Sequence, residues 1–206
     1  GDGDRLIIVD EKGNEIDGDK IIALFAKHLI KFNKSKLKYP IVSTVMSNIG
    51  LENYVLNKFK VNLKRSSVGD INVIKEMQKY NSLLGGEQSG HIILSDYSKT
   101  GDGILAALKV TEIISKLKKS TSTIFNLYEN SPQIKINIPY KKISKNTVNY
   151  IKNINKKKLK DKNMRLLIRL SGTEPLIRIL VEGNELNKVN TIAKNIEKNI
   201  RKKIGK

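Results

Sequence analysis

Short apolar segments alternate with amphipathic helical segments through most of this chain. Apolar residues repeat at helical spacing over residues 19–32, 70–80 and 102–117, and strand-like apolar runs lie at residues 41–45 and 91–94. Parallel strands need long crossover connections, which are usually helices, so this alternation predicts an α/β domain. We expect its sheet to be mixed, with mostly parallel strands.

Between residues 118 and 132 the composition changes to Ser, Thr, Lys and Asn, which is typical of a linker. The chain then continues as a strand, a helix, a hairpin and a final helix whose apolar residues repeat at helical spacing. Helices on one face of an antiparallel sheet form a small α+β domain. We therefore expect an α/β domain that ends at about residue 125 and an α+β domain over residues 126–206.

Charge and composition narrow the function classes. The 206 residues carry a formal net charge of +19 and include no cysteine, which excludes disulfides, cysteine-ligated metal sites and a cysteine nucleophile. The lysines are scattered and accompany no nucleic-acid-binding motif, so we expect no nucleic-acid partner, although a positive field favours anionic small molecules. Because no apolar run approaches membrane-spanning length and no signal-peptide pattern is visible, we expect no membrane partner and a cytoplasmic location.

The polar turn between the apolar runs at residues 166–170 and 176–181 has the side chains that a phosphate requires. Five residues supply donors or permit the turn: Arg169, Ser171, Gly172, Thr173 and Arg178. Two guanidinium groups, two hydroxyls and the backbone N–H groups of a glycine turn offer hydrogen bonds from several directions. The alternative interpretation is an ordinary hairpin with charged edges.

Two further polar loops carry candidate site residues. In GGEQSGH, residues 85–91, Glu87 can accept hydrogen bonds from sugar hydroxyls, Ser89 can donate or accept them, and His91 could move protons near neutral pH. The alternative is a hairpin turn whose histidine only packs. In GDGDR, the hard oxygens of Asp2 and Asp4 are suited to magnesium, although two aspartates also fit a solvated acidic turn.

Five motifs follow one another in the sequence: GDGDR, STVMSNIG, GGEQSGH, TGDG and RLSGTEPLIR. In this order they closely resemble the α-D-phosphohexomutase family, and STVMSNIG and GEQSGH look most like its branch that acts on glucosamine phosphates. The resemblance spans essentially the whole chain but covers only the C-terminal half or so of such an enzyme. Together with the abrupt start inside a motif, it leads us to expect a longer protein with further N-terminal domains.

The resemblance implies four domains around one cleft. Residues 1–15 would end the second domain with its magnesium loop, residues 16–125 would form the sugar-binding third domain, and residues 126–206 would form the phosphate-binding fourth domain. The implied reaction interconverts glucosamine 6-phosphate and glucosamine 1-phosphate through a phosphoserine and a bisphosphate intermediate, with Mg²⁺ as cofactor. Relatives in the family often pair, so a homodimer is a further expectation.

The resemblance also implies individual roles. Glu87 and Ser89 would bind sugar hydroxyls, and the phosphate that is not transferred would be held by the turn residues Arg169, Ser171, Gly172, Thr173 and Arg178. Asp2 and Asp4 would hold magnesium. Arg5 would hold a phosphate oxygen, and His91 would assist proton transfer.

The sequence departs from the family pattern at several points. The phosphoserine motif of the type S-H-N-P occurs nowhere in the chain, and the first aspartate of the metal loop would lie before Gly1. Ile71 follows Asp70 where the family usually has an arginine, and Leu170 replaces a proline. We therefore expect the isolated chain to bind a sugar phosphate weakly without turnover. Two alternatives are a sibling enzyme acting on mannose or glucose phosphates and a non-catalytic sugar-phosphate-binding module.

Overall fold

The computed structural model describes residues 2–32, 39–156, 159, 161, 164–172 and 174–204. Contacts divide the chain into two compact units, Gly1–Asn130 and Ser131–Lys206. This division lies slightly after the boundary at residue 125 that composition suggested. Residues 1–15, which the resemblance attributes to a preceding domain, pack as part of the first unit.

The first unit is built on a mixed four-stranded sheet. In chain order its described elements are β1 (Ile8–Val9), β2 (Glu15–Ile16), α1 (Gly18–Phe32), β3 (Ile41–Thr44), α2 (Ile49–Phe59), β4 (Leu63–Ser66), α3 (Asp70–Tyr80), β5 (Leu84–Gly86), β6 (Ile92–Leu94), α4 (Gly103–Leu117) and α5 (Thr121–Phe125). The sheet order is β4-β3-β5-β6. Strand β3 is parallel to β4 and β5, and β6 is antiparallel to β5. The expected mixed, mostly parallel sheet is confirmed.

Strand β3 is buried on both faces. Ile41 belongs to the large core beneath α1, whereas Val42 packs with Val73 and Met77 of α3 in a smaller core on the other side. All four residues of β3 are buried, and the last two, Ser43 and Thr44, are polar. Helices therefore cover both faces of the sheet.

The prediction of a linker at residues 118–132 is wrong for much of that segment. Helix α5 lies within it, and Ile124 and Phe125 are buried in the core of the first unit. Tyr128 stacks on Tyr54 with ring centroids 5.4 Å apart, and the Lys20 ammonium lies 3.6 Å from the centroid of Tyr128. A polar composition concealed these few apolar side chains, and burial of a few large side chains is sufficient to order such a segment.

The second unit is a three-stranded antiparallel sheet with helices. Its described elements are β7 (Gln133–Pro139), α6 (Lys145–Lys156), β8 (Arg165–Leu170), β9 (Leu176–Glu182) and α7 (Leu186–Ile204). The sheet order is β7-β9-β8, so β9 is central. Ile177 and Ile179 of β9 pack in one core with Val189 and Ala193 of α7. The expected small α+β domain is confirmed.

A buried ion pair lies at one end of this sheet. Glu182 is fully buried, and Arg165 on the neighbouring strand donates to its carboxylate. The Gln133 amide donates to its other oxygen at 2.8 Å. A buried charge is tolerated when it is paired and hydrogen-bonded, so a slip of either neighbouring strand against β9 would leave Glu182 without one of these partners.

Truncation of Leu51 should reveal the core of the first unit. Leu51 and Leu56 both lie on α2, but Leu51 is fully buried whereas Leu56 is 42% exposed. We expect Leu51→Ala to lower the free energy of unfolding by about 2–5 kcal/mol, because it removes packed methyl groups and leaves a cavity. Leu56→Ala is the matched control and should cost clearly less. Equal losses in urea unfolding followed by circular dichroism would contradict the packing described.

Candidate functional site

The N-terminal segment lies alongside the loop between β5 and β6. The Leu6 amide donates to the Gly90 carbonyl at 3.0 Å, and Arg5 forms an antiparallel bridge with His91. The Glu87 amide donates to the His91 carbonyl at 2.8 Å and closes the loop as a tight turn. These backbone bonds bring the GDGDR motif against the GGEQSGH motif.

Two glycines make this approach possible. Gly90 has φ +93°, and a Cβ at this position would lie 2.2 Å from the Leu6 carbonyl oxygen. A Cβ at Gly101, in the TGDG motif, would lie 2.1 Å from Nε2 of His91. A side chain at either position would separate the segments, because heavy atoms cannot approach so closely. Asp102, which follows Gly101, accepts from the Leu105 amide at 2.8 Å and caps α4.

The His91 ring is enclosed. Its side chain is 7% exposed, and its Nδ1 lies 3.3 Å from Oδ2 of Asp4. Its Nε2 is buried and has no hydrogen-bond partner among the described residues. The ring therefore contacts the predicted metal loop on one side and the Gly101 backbone on the other.

Asp2 and Asp4 lie close enough for their carboxylates to interact. Asp2 is exposed and Asp4 is partly buried. A hydrogen bond with Asp2 lowers the pKa of Asp4, and His91 and the Arg5 charge lower it further against the opposing effect of desolvation. The guanidinium of exposed Arg5 lies 3.6 Å from Oδ2 of Asp4.

These two carboxylates fit part of a magnesium site. Mg²⁺ is commonly held by one or two carboxylates with waters, and the carboxylates of Asp2 and Asp4 lie near enough to interact. In the described part of the chain, however, no group of three His, Cys, Asp or Glu side chains is arranged to hold a metal ion. Asp2 and Asp4 therefore fit as a pair of ligands and do not form a complete cage.

Glu87 and Ser89 remain available at the surface of the loop while Gln88 anchors it. Glu87 is half-buried, and the Gly69 amide at the start of α3 lies 3.5 Å from its carboxylate. Ser89 is exposed. The Gln88 amide donates to Asp17 at 3.1 Å. Sequence analysis missed this anchoring pair, because the two side chains are 71 positions apart.

The departure at Ile71 lies near this loop. Ile71 occupies the first turn of α3, two positions after the Gly69 amide that contacts Glu87, and it is 61% exposed. An apolar side chain therefore occupies the position where the resemblance implies a charged contact.

The STVMSNIG loop is tied to the same region by a buried carboxylate. Asp19, in the first turn of α1, is fully buried and accepts from the Asn48 amide at 2.8 Å. Asn48 in turn caps α2 by accepting from the Gly50 amide at 2.8 Å. Desolvation raises the pKa of Asp19 to about 6, and the neighbouring Asp17 charge adds to this effect. Sequence analysis singled out the loop but not Asp19, whose role appears only in its tertiary contacts.

In the second unit, Arg169 of β8 and Arg178 of β9 are direct cross-strand partners. Asn137 of β7 lies opposite Arg178 on its other side, so the three residues form a row on one face of the sheet. Burial and the Arg178 charge lower the pKa of Arg169. Like charges directly opposite one another are destabilising, which makes this pair unusual in a sheet built for stability alone.

The donors at this hairpin are incompletely satisfied. Nε of Arg178 is buried and has no hydrogen-bond partner among the described residues, while Nη2 lies 2.5 Å from the Glu174 carboxylate. The Ser171 amide donates to the Leu176 carbonyl at 2.8 Å and closes the turn. Gly172 is exposed, and the predicted Thr173 lies outside the described residues.

A cavity of about 400 Å³ lies elsewhere in the first unit. It is lined by apolar and charged side chains of α1, β6 and α4 and the loop after β6, including Phe25, Leu94, Tyr97, Lys109 and Ile113. None of the predicted site residues of this unit lines it.

No helix among the described residues is both long and apolar enough to cross a bilayer.

Gly90→Ala should disturb the contact between residues 2–6 and the loop. Gly13 is the matched control, because it also has positive φ but nothing lies within 4 Å of an added Cβ. We expect Gly13→Ala to cost about 1–2 kcal/mol from backbone strain alone. Gly90→Ala should cost about 1–3 kcal/mol more because of the collision with Leu6. Urea unfolding measures both losses, and hydrogen exchange of the Leu6 amide should accelerate only in Gly90→Ala.

The raised pKa of Asp19 predicts a pH-dependent stability. Between about pH 4 and pH 7 the unfolded chain ionises Asp19 before the folded chain does, so this group favours unfolding increasingly as the pH rises. The effect is about 3 kcal/mol over this window, as an order of magnitude. Asp19→Asn keeps an oxygen for the Asn48 amide but cannot ionise. The stability of the unsubstituted chain relative to Asp19→Asn should therefore fall from pH 4 to pH 7, and a flat difference would contradict this assignment.

Comparison with known proteins agrees with this architecture. Residues 17–131 match the family model described as phosphoglucomutase/phosphomannomutase, alpha/beta/alpha domain III, and residues 128–199 match the model of the C-terminal domain of the same family. The chain is 45% identical to a phosphoglucosamine mutase of Fusobacterium nucleatum subsp. nucleatum and 43% identical to one of Clostridium kluyveri. Each alignment covers 100% of this chain and 46% of the relative, so the chain spans about half the length of these proteins.

Solved structures share the fold at low sequence identity. A phosphoglucomutase/phosphomannomutase family protein of Burkholderia thailandensis superposes with a TM-score of 0.79 at 20% identity, over 96% of this chain and 44% of that one. The Aspergillus fumigatus N-acetylphosphoglucosamine mutase in complex with GlcNAc-6P and magnesium gives 0.75 at 17% identity, over 99% and 48%. Both domain matches and the shared fold agree, and the chain belongs to the phosphoglucomutase/phosphomannomutase family as its domain III and C-terminal domain.

Proposed function

We propose that this chain is the C-terminal part of a phosphoglucosamine mutase, which interconverts glucosamine 6-phosphate and glucosamine 1-phosphate. The sequence relatives named above support this substrate pair. The single observation that carries the proposal is the cross-strand pair Arg169 and Arg178 beside an open hairpin turn. This arrangement of two guanidinium groups is suited to binding a phosphate dianion.

The phosphate end of the substrate would bind at this turn. Two guanidinium groups on adjacent strands repel each other, and a dianion between them replaces that repulsion with charge-assisted hydrogen bonds. The buried Nε of Arg178 supplies a donor without a partner among the described residues. The Ser171 hydroxyl, the Gly172 backbone and the predicted Thr173 would complete the set of donors.

The sugar end would be recognised by Glu87 and Ser89. The contact with the Gly69 amide gives the Glu87 carboxylate a defined position, and Gln88 secures the loop to Asp17. Such support matters because recognition of hydroxyls depends on donors and acceptors held in place. A sibling enzyme acting on mannose or glucose phosphates is the main alternative, and the sugar contacts of this loop are where the two would differ.

Asp2 and Asp4 would hold Mg²⁺ together with further ligands. Bound there, the ion would supply charge neutralisation to the phosphoryl group being transferred. Arg5, whose guanidinium lies beside Asp4, would hold a phosphate oxygen. The magnesium reported with the Aspergillus fumigatus relative supports this part of the proposal.

This chain alone would bind substrate without turning it over. Catalysis of phosphoryl transfer comes from positioning and from charge stabilisation at the transferring group, and the total required is about 8–23 kcal/mol. Charge-assisted hydrogen bonds at the other end of the substrate contribute only about 1.5–3 kcal/mol each. The missing N-terminal domains would contribute the phosphoserine loop, of which this sequence has no copy.

The cytoplasmic location, the homodimer and the lack of a nucleic-acid partner remain predictions.

Substitution of the two arginines tests the proposed phosphate site. We expect glucosamine 6-phosphate to bind this chain weakly, and Arg169→Ala or Arg178→Ala to reduce its affinity roughly ten-fold or more, because each removes a charged hydrogen-bond donor. Arg201→Ala is the matched control, since it removes the same charge from an exposed position on α7. Chemical-shift titration of the labelled chain measures all four affinities.

The same titration separates the alternatives. Glucosamine without phosphate should bind far more weakly than glucosamine 6-phosphate, and inorganic phosphate should compete for the arginine pair. Equal binding by Arg178→Ala and the unsubstituted chain would contradict the proposal. Tighter binding of mannose or glucose 6-phosphate would favour the sibling enzyme, and turnover by the purified chain would contradict the proposed dependence on further domains.

A further inference from the structure

We propose that Ser43 is a positioning residue that holds Glu87, the proposed sugar-binding residue, through a hydrogen bond to the main chain. The loop at residues 44–48, which carries most of the STVMSNIG motif, keeps Ser43 in place. The inference rests on the proposed function in taking Glu87 as a contact of the sugar. It gives the STVMSNIG motif a role that the proposed function does not supply.

The peptide group between Gly86 and Glu87 is held at both ends. Ser43, on the neighbouring strand β3, donates to the Gly86 carbonyl at 2.9 Å. The amide of the same peptide group, which belongs to Glu87, donates to the His91 carbonyl at 2.8 Å. Because a peptide group is planar, bonds at both of its ends fix its orientation and with it the position of the Glu87 Cα.

A second peptide group, between Ser47 and Asn48, is held in the same way by two ionisable side chains. Its carbonyl accepts from Nη1 of Arg65 at 2.7 Å, and its amide donates to the buried carboxylate of Asp19 at 2.8 Å. Arg65 is only 15% exposed and also donates to the Thr44 carbonyl at 3.2 Å. A guanidinium group offers several donors in a fixed plane, so one side chain can hold two carbonyls of the loop.

Buried hydroxyls connect the two peptide groups. The hydroxyls of Ser43 and Ser47 are hydrogen-bonded to each other, and both residues are fully buried. A hydroxyl can donate one hydrogen bond and accept others, so Ser43 can contact Ser47 and the Gly86 carbonyl at the same time. The connection from the loop to the main chain of Glu87 therefore runs through buried groups.

The location of this network favours a role in binding. The chain passes from β3 to β4 on one side of it and later to β5 on the other, and the network lies at the carboxyl ends of β3 and β5. Open α/β sheets bind ligands outside the carboxyl ends of their strands, at the point where the strand order reverses in this way. Buried polar groups cost free energy that apolar packing would not, and they contribute a defined arrangement of the loops.

Ser43→Ala tests the inference, and Ser82→Ala is its matched control. Ser82 is also a buried serine, and its hydroxyl donates to the Leu84 carbonyl at 2.8 Å, at the other end of β5. We expect Ser43→Ala to bind glucosamine 6-phosphate about three-fold or more weakly, because it removes one hydrogen bond behind the sugar contact. Its affinity for inorganic phosphate should not change, and Ser82→Ala should bind both ligands as the unsubstituted chain does.

Chemical-shift titration measures these affinities. Equal affinities of Ser43→Ala and Ser82→Ala for glucosamine 6-phosphate would overturn the inference. An equal loss of affinity for inorganic phosphate in Ser43→Ala would also overturn it, because a general loss of structure would then explain the result.

Hydrogen exchange supplies a readout that needs no ligand. The Glu87 amide should exchange faster in Ser43→Ala than in Ser82→Ala, and equal exchange would overturn the inference. Ser47→Ala should act in the same direction and gives the same readouts if Ser43→Ala fails to fold. The double variant should lose no more affinity than Ser43→Ala alone, because the two hydroxyls act in series, and losses that simply add would overturn the connection through Ser47.

Glu87→Ala separates this inference from the proposed function. Weaker binding of glucosamine 6-phosphate in Glu87→Ala, together with unchanged binding in Ser43→Ala, would overturn the inference alone. Unchanged binding in Glu87→Ala would instead contradict the sugar contact of the proposed function, and exchange at the Glu87 amide would still decide whether Ser43 holds this residue.

Discussion

The close approach of residues 2–6 to the loop at residues 86–91 is the contact on which the candidate site of the first unit depends. It brings Asp4, Arg5 and His91 together through backbone hydrogen bonds, in which no side-chain atom takes part. Such an approach requires positions without a Cβ, which Gly90 and Gly101 provide. Three separate motifs therefore form one structural unit, and we expect a single methyl group added at Gly90 or Gly101 to separate them.

Buried polar groups fix the surrounding elements. Asp19 joins α1 to the loop that caps α2, and Glu182 joins three strands of the second unit. Burial of a carboxylate is costly unless hydrogen bonds compensate it, and compensation at Asp19 is incomplete, because its buried Oδ1 has no hydrogen-bond partner among the described residues. These buried groups thus lower the free energy of unfolding somewhat, and in return they hold the loops that carry site residues in defined positions.

The sequence predicted the regular elements more successfully than the contacts that hold the candidate site together. Helix α3 follows from apolar spacing, and the mixed and antiparallel sheets follow from the order of strands and helices. Helix α5 was missed because its few buried side chains lie in a polar segment, and the Gln88 anchor was missed because its partner Asp17 is remote in sequence. The burial and the contacts of His91 and Asp19 depend on neighbours brought together by tertiary folding, which residue patterns do not encode.

The facing arginines of the second unit have a consequence for its folding equilibrium. Without an anion, their repulsion is offset only in part by the Glu174 carboxylate, which is itself half exposed to water. An oxyanion bound between them would favour the folded state by mass action, and the gain would grow with anion concentration. The melting temperature of this unit should therefore depend on the buffer, and a preparation in phosphate or sulfate would be measurably more heat-resistant than one in chloride.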